Sequence, residues 1–187
     1  MSSQDDAQAR QESGGGLGFP SLTPRKAEPN VPSTNVPSDT PVKPAKPLHL
    51  LIPKIKVKAS VLQLGTEADG SQMVPKTFTN VSWWNEGQLP GQPGNAVFAG
   101  HTYSKGDGVF DQLPKLRKGD RITVVTQKGE QTFIVCSVGS VPTSEYGKVA
   151  SQITRSTGKP GIVLQTCGDW DGSEYHATTV VFALLAP

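Results

Sequence analysis

The chain has 187 residues, a length that predicts one folded domain with room for a terminal tail. A net charge of only +2, without a dense cluster of lysine and arginine, argues against nucleic acid as the partner. No apolar run approaches the ~20 residues of a membrane-spanning helix, and no signal peptide opens the chain. The 20 glycines and 16 prolines favour short strands over long helices.

Residues 1–47 are predicted to be a disordered, proline-rich spacer ahead of one folded domain at 48–187. The segment holds eight of the 16 prolines and a single aromatic residue, Phe19, and its five acidic and five basic residues balance. Such a composition buries too little apolar surface to offset the entropy lost on ordering. We expect the spacer to hold the domain away from a surface.

The first part of the domain is predicted to contain short extended segments. An apolar run leads into Pro53, after which Ile55 and Val57 alternate with lysines, the pattern of a half-buried strand. Residues 61–64 form a second short strand. Residues 81–84 form a further extended piece, and we expect its two tryptophans, Trp83 and Trp84, to cap the core; the alternative is that one of them lines a groove.

Another apolar strand, residues 95–100, follows a turn rich in glycine and proline and ends on His101. A loop at 104–108 and one helical turn at 109–114 come next. His101 is a candidate for chemistry because a strand end holds it in place. The alternative is a surface-loop histidine without a role.

A β-hairpin is predicted from strands at 121–126 and 131–138. In the second strand Ile134, Cys136 and Val138 share one face by the two-residue period of a strand. We therefore expect Cys136 to be a core residue without a chemical role.

Residues 143–156 are the only window in which a helix is predicted, and residues 175–185 complete the chain as a β-branched strand. Counting all segments gives about seven or eight short strands and at most two short helices. This content favours a barrel or a sandwich over an α/β sheet.

Cys167 is the residue around which a catalytic site is predicted. The apolar run 162–166 predicts a buried strand that delivers Cys167 to a turn rich in glycine and aspartate. A cysteine held by a sheet and open to a cleft suits a nucleophile, and the alternative is a small hydrophobic core residue. Cys136 lies 31 residues before Cys167 with no zinc-type spacing, so no metal site is predicted, although spacing alone does not exclude a disulfide.

Four motifs together resemble the sortase family. They are residues 93–101 (PGNAVFAGH), 110–113 (FDQL), 118–120 (KGD) and 164–167 (LQTC), in the family's order and spacing. The most specific part is a strand-end histidine followed 66 residues later by the cysteine of a Thr-Cys pair. The resemblance is to actinobacterial class E or F members above all. It implies an all-β fold, a closed eight-stranded barrel with one or two short helices, and no cofactor.

The resemblance also implies a reaction. Sortases are cysteine transpeptidases of Gram-positive cell surfaces. The Cys167 thiolate would attack an LPxTG-like sorting-signal peptide, and a cell-wall amine would resolve the acyl-enzyme. His101 would move the protons, since an imidazole titrates near pH ~6.5 and a free thiol near ~8.5. Thr166, which matches the family's motif, would help to shape the oxyanion site.

One residue that the family leads us to expect is missing. Sortases usually carry an arginine on the strand after the cysteine, but this chain has none after Arg155. His176 and Thr178 share a strand face at that place. We prefer His176, because Tyr175-His176 aligns with a Tyr-Arg pair in some members. Either an imidazole serves there, or another cation substitutes, or catalysis is impaired; an exposed histidine without a role is the remaining alternative.

The family's usual membrane anchor is also missing from the sequence. We expect this chain to be a soluble form that begins after the anchor and works at the extracellular face of the membrane or wall. The predicted function is to join surface proteins to a cell-wall amine. The alternatives are an impaired sortase-like module that only binds sorting peptides, and a pilin-polymerising sortase. An L,D-transpeptidase is disfavoured because its Ser-x-Gly-Cys pattern is absent around Cys167.

Overall fold

Eight β-strands and one α-helix make up the regular structure of residues 43–187, the part of the chain that the computed structural model describes. Most of the predicted spacer, residues 1–42, lies outside the described residues. Three short 3-10 turns connect the other elements. The strands and helix are β1 (Pro47–Ile52), β2 (Val57–Leu64), β3 (Val81–Trp84), β4 (Asn95–Gly100), β5 (Arg121–Thr126), β6 (Gly129–Pro142), α1 (Tyr146–Ile153), β7 (Gly161–Trp170) and β8 (Tyr175–Leu185).

The strands close into a barrel in the order β1-β2-β3-β4-β7-β8-β6-β5, and β5 pairs back with β1. Two neighbouring pairs, β2–β3 and β4–β7, are parallel, and the other pairs are antiparallel. Closure leaves no sheet edge unpaired. The predicted closed eight-stranded barrel with a short helix is therefore confirmed. Among residues 43–187 no helix has both the length and the apolar character needed to cross a membrane.

Two apolar clusters hold the barrel. The larger cluster fills the interior with side chains that are fully buried, among them Phe98, Phe110 and Phe133, and it includes Trp83. The smaller cluster lies between α1 and the strands that it covers. There Val149 and Ile153, one helical turn apart, pack with Val97, Val163 and Val180. This helix was the one predicted from apolar spacing.

The predicted strand through Ile55 and Val57 is interrupted. Residues Pro53–Ile55 form a 3-10 turn, and Lys56 adopts a left-handed conformation with φ of 56°. The turn closes a β1–β2 hairpin in which Ile52 pairs with Val57. The reason is Pro53, whose ring fixes φ and removes a backbone donor, so that a turn forms here. The alternation of Ile55 and Val57 with lysines therefore spans the turn and the start of β2, and does not mark one strand.

The buried face of β6 is the opposite of the predicted one before Cys136, whereas Val138 after it packs against the larger cluster. Phe133 and Val135 point into the core, while Cys136 is only half-buried and belongs to neither apolar cluster. A register shift between Val135 and Ser137 marks a bulge at Cys136, and a bulge disrupts the two-residue alternation. The Cys136 thiol donates to the Phe182 carbonyl at 3.2 Å. The expectation that Cys136 is a core residue is therefore wrong.

Strand β7 continues past the cysteine instead of ending there. It runs to Trp170, which pairs with Tyr175 of β8, so the turn lies at residues 171–174. The ladder with β4 stops earlier, at the pair of Ala99 with Gln165. The ends of β7 and β8 thus project beyond β4 as a hairpin, and Cys167 lies at the base of this hairpin.

Candidate active site

A cleft of about 620 Å³ lies on the outer face of the barrel. One wall comes from the β2–β3 connection and the other from α1, and β4, β7 and β8 form the floor. The cleft contains four of the five site residues predicted from the sequence. These residues are His101, Thr166, Cys167 and Thr178.

The nucleophile candidate lies on the floor of the cleft. Along β7 the alternate residues Val163, Gln165 and Cys167 share one face, and their exposure rises from buried to exposed in that order. Although Cys167 is exposed as a residue, partial burial of its thiol raises the pKa of the thiol above the ordinary value. Formation of a thiolate therefore needs a proton acceptor close by.

The pairing of β4 with β7 places His101 at the same end of the barrel as Cys167. The last paired residues are Ala99 and Gln165, and each candidate follows its strand's last paired residue by two positions. Both side chains line the cleft. The structure thus brings together an imidazole and a thiol that are 66 residues apart in the chain.

The ring of His101 is held from the side of the β2–β3 connection. Its Nε2 lies 2.6 Å from the Pro75 carbonyl oxygen, so Nε2 must carry the hydrogen, because a carbonyl can only accept. The ring of Phe78 meets the imidazole edge-on, with 5.1 Å between ring centroids. Nothing in the sequence pattern points to this contact.

Thr166 connects the histidine segment to the cysteine strand. Its hydroxyl donates to the Gly100 carbonyl at 2.8 Å and accepts from the Thr102 hydroxyl at 2.7 Å. Tyr175 adds a bond from its hydroxyl to the Thr102 carbonyl at 3.2 Å. A hydroxyl has one proton to donate, so Thr166 in this arrangement holds the strands and offers no donor to an oxyanion.

His176 does not line the cleft. Its Nε2 donates to Asp171 Oδ2 at 2.7 Å across the β7–β8 turn, and both side chains are exposed. This hydrogen bond raises the pKa of His176 and is the main reason that the pKa of Asp171 is lowered. The His176 imidazole is therefore bonded within the β7–β8 turn and does not point toward Cys167.

No arginine or lysine of residues 43–187 lines the cleft. Arg155, the last arginine of the chain, donates instead to the carbonyls of Thr157 and Lys159, at 2.7 and 2.9 Å. These bonds close the loop between α1 and β7 on itself. No aspartate or glutamate of the described residues lines the cleft either, so a charge in the cleft can come only from His101 or Cys167 among its lining residues.

A polar chain that the sequence did not reveal crosses the cleft next to the cysteine. The Tyr146 hydroxyl donates to Gln165 Oε1 at 2.6 Å, and Gln165 Nε2 donates to Gln72 Oε1 at 2.9 Å. Burial is the main cause that raises the pKa of Tyr146. The only sequence signal for this polar chain is that Gln165 lies two positions before Cys167 and so shares its face.

The class is a closed, eight-stranded β-barrel in which a histidine and a cysteine lie just beyond the last paired residues of two adjacent parallel strands and line one cleft. The family follows from the chain itself. The sortase-domain family model matches residues 50–186. The chain belongs to the sortase family, whose members are cell-surface transpeptidases of Gram-positive bacteria.

Individual relatives agree with this membership. The chain is 28% identical over 119 residues to sortase A of Bacillus anthracis, a match covering 64% of this chain. It spans half the length of that relative. Among crystal structures, the fold is similar to sortase C-1 from Actinomyces oris, with a TM-score of 0.58, 23% identity and coverage of 74% of this chain and 73% of that one. Sortase A of Listeria monocytogenes gives a TM-score of 0.59 at 19% identity, covering 74% and 86%. Membership of class E or F stays a prediction, since these neighbours are of classes A and C.

Proposed function

We propose that the chain is a cysteine transpeptidase that cleaves a sorting-signal peptide and transfers its acyl part to an amine. The observation that carries the proposal is the shared position of His101 and Cys167, each two residues beyond the last paired residues of the β4–β7 ladder and both lining one cleft. The family supplies the reaction type. We further propose an LPxTG-like peptide as the substrate and a cell-wall precursor as the source of the amine.

The proposed reaction has two halves. The Cys167 thiolate adds to a peptide carbonyl carbon, the C–N bond breaks, and protonated His101 gives its proton to the leaving amine. A thioester remains on the enzyme. In the second half neutral His101 takes a proton from an incoming amine, which attacks the thioester and releases Cys167 as thiolate.

The oxyanion formed in each half needs a hydrogen-bond donor. Thr178 is our candidate, because its side chain lines the cleft and makes no hydrogen bond to any residue of 43–187. His176 is the sequence-based candidate, but its Nε2 is bonded to Asp171. A hydroxyl in place of an arginine would stabilise the oxyanion through one neutral hydrogen bond, which is roughly half as strong as a charge-assisted one.

The experiment is incubation of a labelled LPxTG-like peptide with the protein, with and without an amine acceptor. We expect an acyl-enzyme mass on Cys167, and a ligated product that appears only with the acceptor. Cys167→Ala should abolish both signals, and Cys136→Ala is the matched control that should leave them unchanged. Acylation in Cys167→Ala would contradict the assignment of the nucleophile.

A second candidate function is a module that binds sorting peptides without cleaving them. The uncharged lining of the cleft favours this alternative, since no arginine or lysine of the described residues reaches it. Binding of the peptide by the parent protein and by Cys167→Ala, with no cleavage by either, would support it. A pilin-polymerising sortase would instead use a protein lysine as the acceptor, and competition between a pilin lysine peptide and a wall-type amine separates the two.

A further inference from the structure

Residues 75–78, in the connection between β2 and β3, lie directly against His101. The Pro75 carbonyl oxygen accepts from Nε2 at 2.6 Å. The Phe78 ring contacts the imidazole edge-on at 5.1 Å and stacks on Tyr103 at 4.7 Å with an interplanar angle of 24°. Three separate contacts therefore restrain the ring and the chain that follows it.

This segment is itself fixed to the barrel on both sides. The Phe78 carbonyl accepts from the Val109 amide at 2.8 Å, and the Met73 amide donates to the Gly65 carbonyl at 3.0 Å. Val74, next to Pro75, lines the cleft. The Pro75 carbonyl is thus a pre-positioned acceptor rather than a freely moving one.

Core packing does not account for Phe78. Its side chain is 43% exposed, and it belongs to neither apolar cluster. An aromatic ring left this exposed contributes little by burial, yet its edge lies on the imidazole of the proposed acid–base residue. The contact is therefore better explained by what it does to His101 than by stability.

The chemistry of the carbonyl defines which ring atom can react. A carbonyl accepts only, so Nε2 keeps its hydrogen whether the imidazole is neutral or protonated. All proton exchange is then left to Nδ1. In histidine catalysis the partner of one ring nitrogen sets the protonation of the other.

We propose that residues 75–78 are the positioning element for His101. The Pro75 carbonyl fixes the Nε2–H tautomer, the Phe78 ring fixes the ring plane, and Nδ1 alone exchanges a proton with the Cys167 thiol and with the amines. This inference rests on the proposed function, in which His101 is the acid and base.

The first test reads the tautomer and needs no activity. Nitrogen-15 NMR of the protein labelled at histidine, at a pH where the rings are neutral, distinguishes a protonated Nε2 from a protonated Nδ1. His101→Gln assigns the signals among the three histidines. We expect Nε2 protonated and Nδ1 bare. Signals showing a protonated Nδ1, or a fast mixture of both tautomers, would overturn the proposal.

The second test weakens the contact without removing a catalytic side chain. Replacing Lys76 with its α-hydroxy analogue turns the Pro75 carbonyl into an ester carbonyl, a weaker acceptor, and Phe78→Ala removes the ring. Each should shift His101 toward a tautomer mixture and lower the maximal acylation rate about tenfold, a part of the ~10²–10⁴ that acid–base catalysis supplies, with KM little changed. Leu62→Ala, which removes a similarly exposed apolar side chain on β2, should change neither quantity.

The outcomes separate this proposal from the proposed function. If no peptide is cleaved but the Nε2–H tautomer is present in the parent and lost in the ester variant, the transpeptidase assignment fails and the positioning of His101 stands. If peptide is cleaved and the ester variant keeps both tautomer and rate, the positioning role is wrong. The melting temperature of Phe78→Ala is compared with the parent's to detect any loss of folding. If Phe78→Ala is destabilised, the result for the ester variant determines whether the positioning role is correct.

Discussion

Thr178 and Cys167 are directly paired across β7 and β8, so their side chains lie on the same side of the sheet. Thr178 also lines the cleft, whereas His176, two residues earlier, is bonded to Asp171. Of the two candidates for the position where the family carries an arginine, Thr178 is therefore close to the cysteine, whereas His176 has a raised pKa but is bonded to Asp171.

This pairing predicts that Thr178→Val slows acylation more than His176→Ala does. If the Thr178 hydroxyl donates to the oxyanion, its loss should cost ~10²–10³ in the acylation rate, as for other oxyanion donors. His176→Ala should lower the acylation rate by less than tenfold. Valine keeps the shape of threonine, so single-turnover acylation of both variants makes the comparison. If His176→Ala is acylated slowly while Thr178→Val is acylated at the parent's rate, His176 is the donor and Thr178 is not.

A second prediction concerns pH and the turn at residues 171–174. Because Asp171 raises the pKa of His176, an NMR titration should place it above the ordinary value of 6.5, and Asp171→Asn should bring it back. Protonated His176 stabilises the turn fully when the pH is below the pKa that His176 has in the unfolded chain. This stabilisation is lost as the pH rises through the higher pKa that His176 has in the folded protein. The contribution of Asp171 depends on pH in the opposite direction. It is fully present above 3.8, the pKa of Asp171 in the unfolded chain, and is lost as the pH falls through the lower pKa that Asp171 has in the folded protein. The ion pair therefore stabilises the turn fully between about pH 3.8 and 6.5, the two ordinary pKa values, and weakens on either side of that range. A His176 pKa that does not change in Asp171→Asn would contradict this pairing.

The polar chain across the cleft should contribute measurably to stability. Gln165→Leu leaves the Tyr146 hydroxyl without its acceptor and Gln72 Oε1 without its donor. We expect a loss of about 1–2 kcal/mol in the free energy of unfolding, the usual cost of stranding partly buried polar groups. Urea unfolding of Gln165→Leu, Tyr146→Phe and the double variant makes a cycle. Strict additivity of the two losses would show that the pair is not coupled.

The boundary of the folded domain predicts different effects for two truncations. Ala45 is 8% exposed and Pro47 begins β1, where it pairs with Thr126. Removing residues 1–42 should therefore leave the melting temperature nearly unchanged, because that segment's composition supplies no apolar core. Removing residues 1–47 should lower it by several degrees, through lost pairing at the barrel seam. Equal melting temperatures for the two truncations would place the boundary later in the chain.

The sequence predicted most of the barrel because its strands alternate or are bounded by turn residues. The strand before His101, the 121–126 strand and the final strand are all found within a residue of their predicted positions. The errors arise where local conformation overrides the pattern. Pro53 converts an apparent strand into a hairpin turn. The bulge at Cys136 breaks the two-residue alternation, so Val135 and Val138 both contact the core while Cys136 does not.

The site was less predictable than the fold, because its supporting contacts connect distant parts of the chain. Gln72 and Gln165 are 93 residues apart, and the Pro75 carbonyl is a backbone group with no signal of its own in the sequence. The hydrogen bond of His176 to Asp171 spans only five residues. It was still missed, because the sequence placed Asp171 in a turn and His176 on the next strand but gave no direction for either side chain.

The parallel β4–β7 ladder also has a consequence for folding. Each of its paired positions joins residues that are 66 apart in the chain. Contacts at such separation are slow to form, because the entropy of closing the intervening loop is lost before the pairing compensates for it. The β5–β6 hairpin, with Thr126 paired to Gly129 at its turn, carries no such cost. A chain that has folded its hairpins but not yet joined β4 to β7 holds His101 and Cys167 apart. If His101 and Cys167 are the catalytic pair that we propose, a newly made molecule gains activity only when β4 has joined β7.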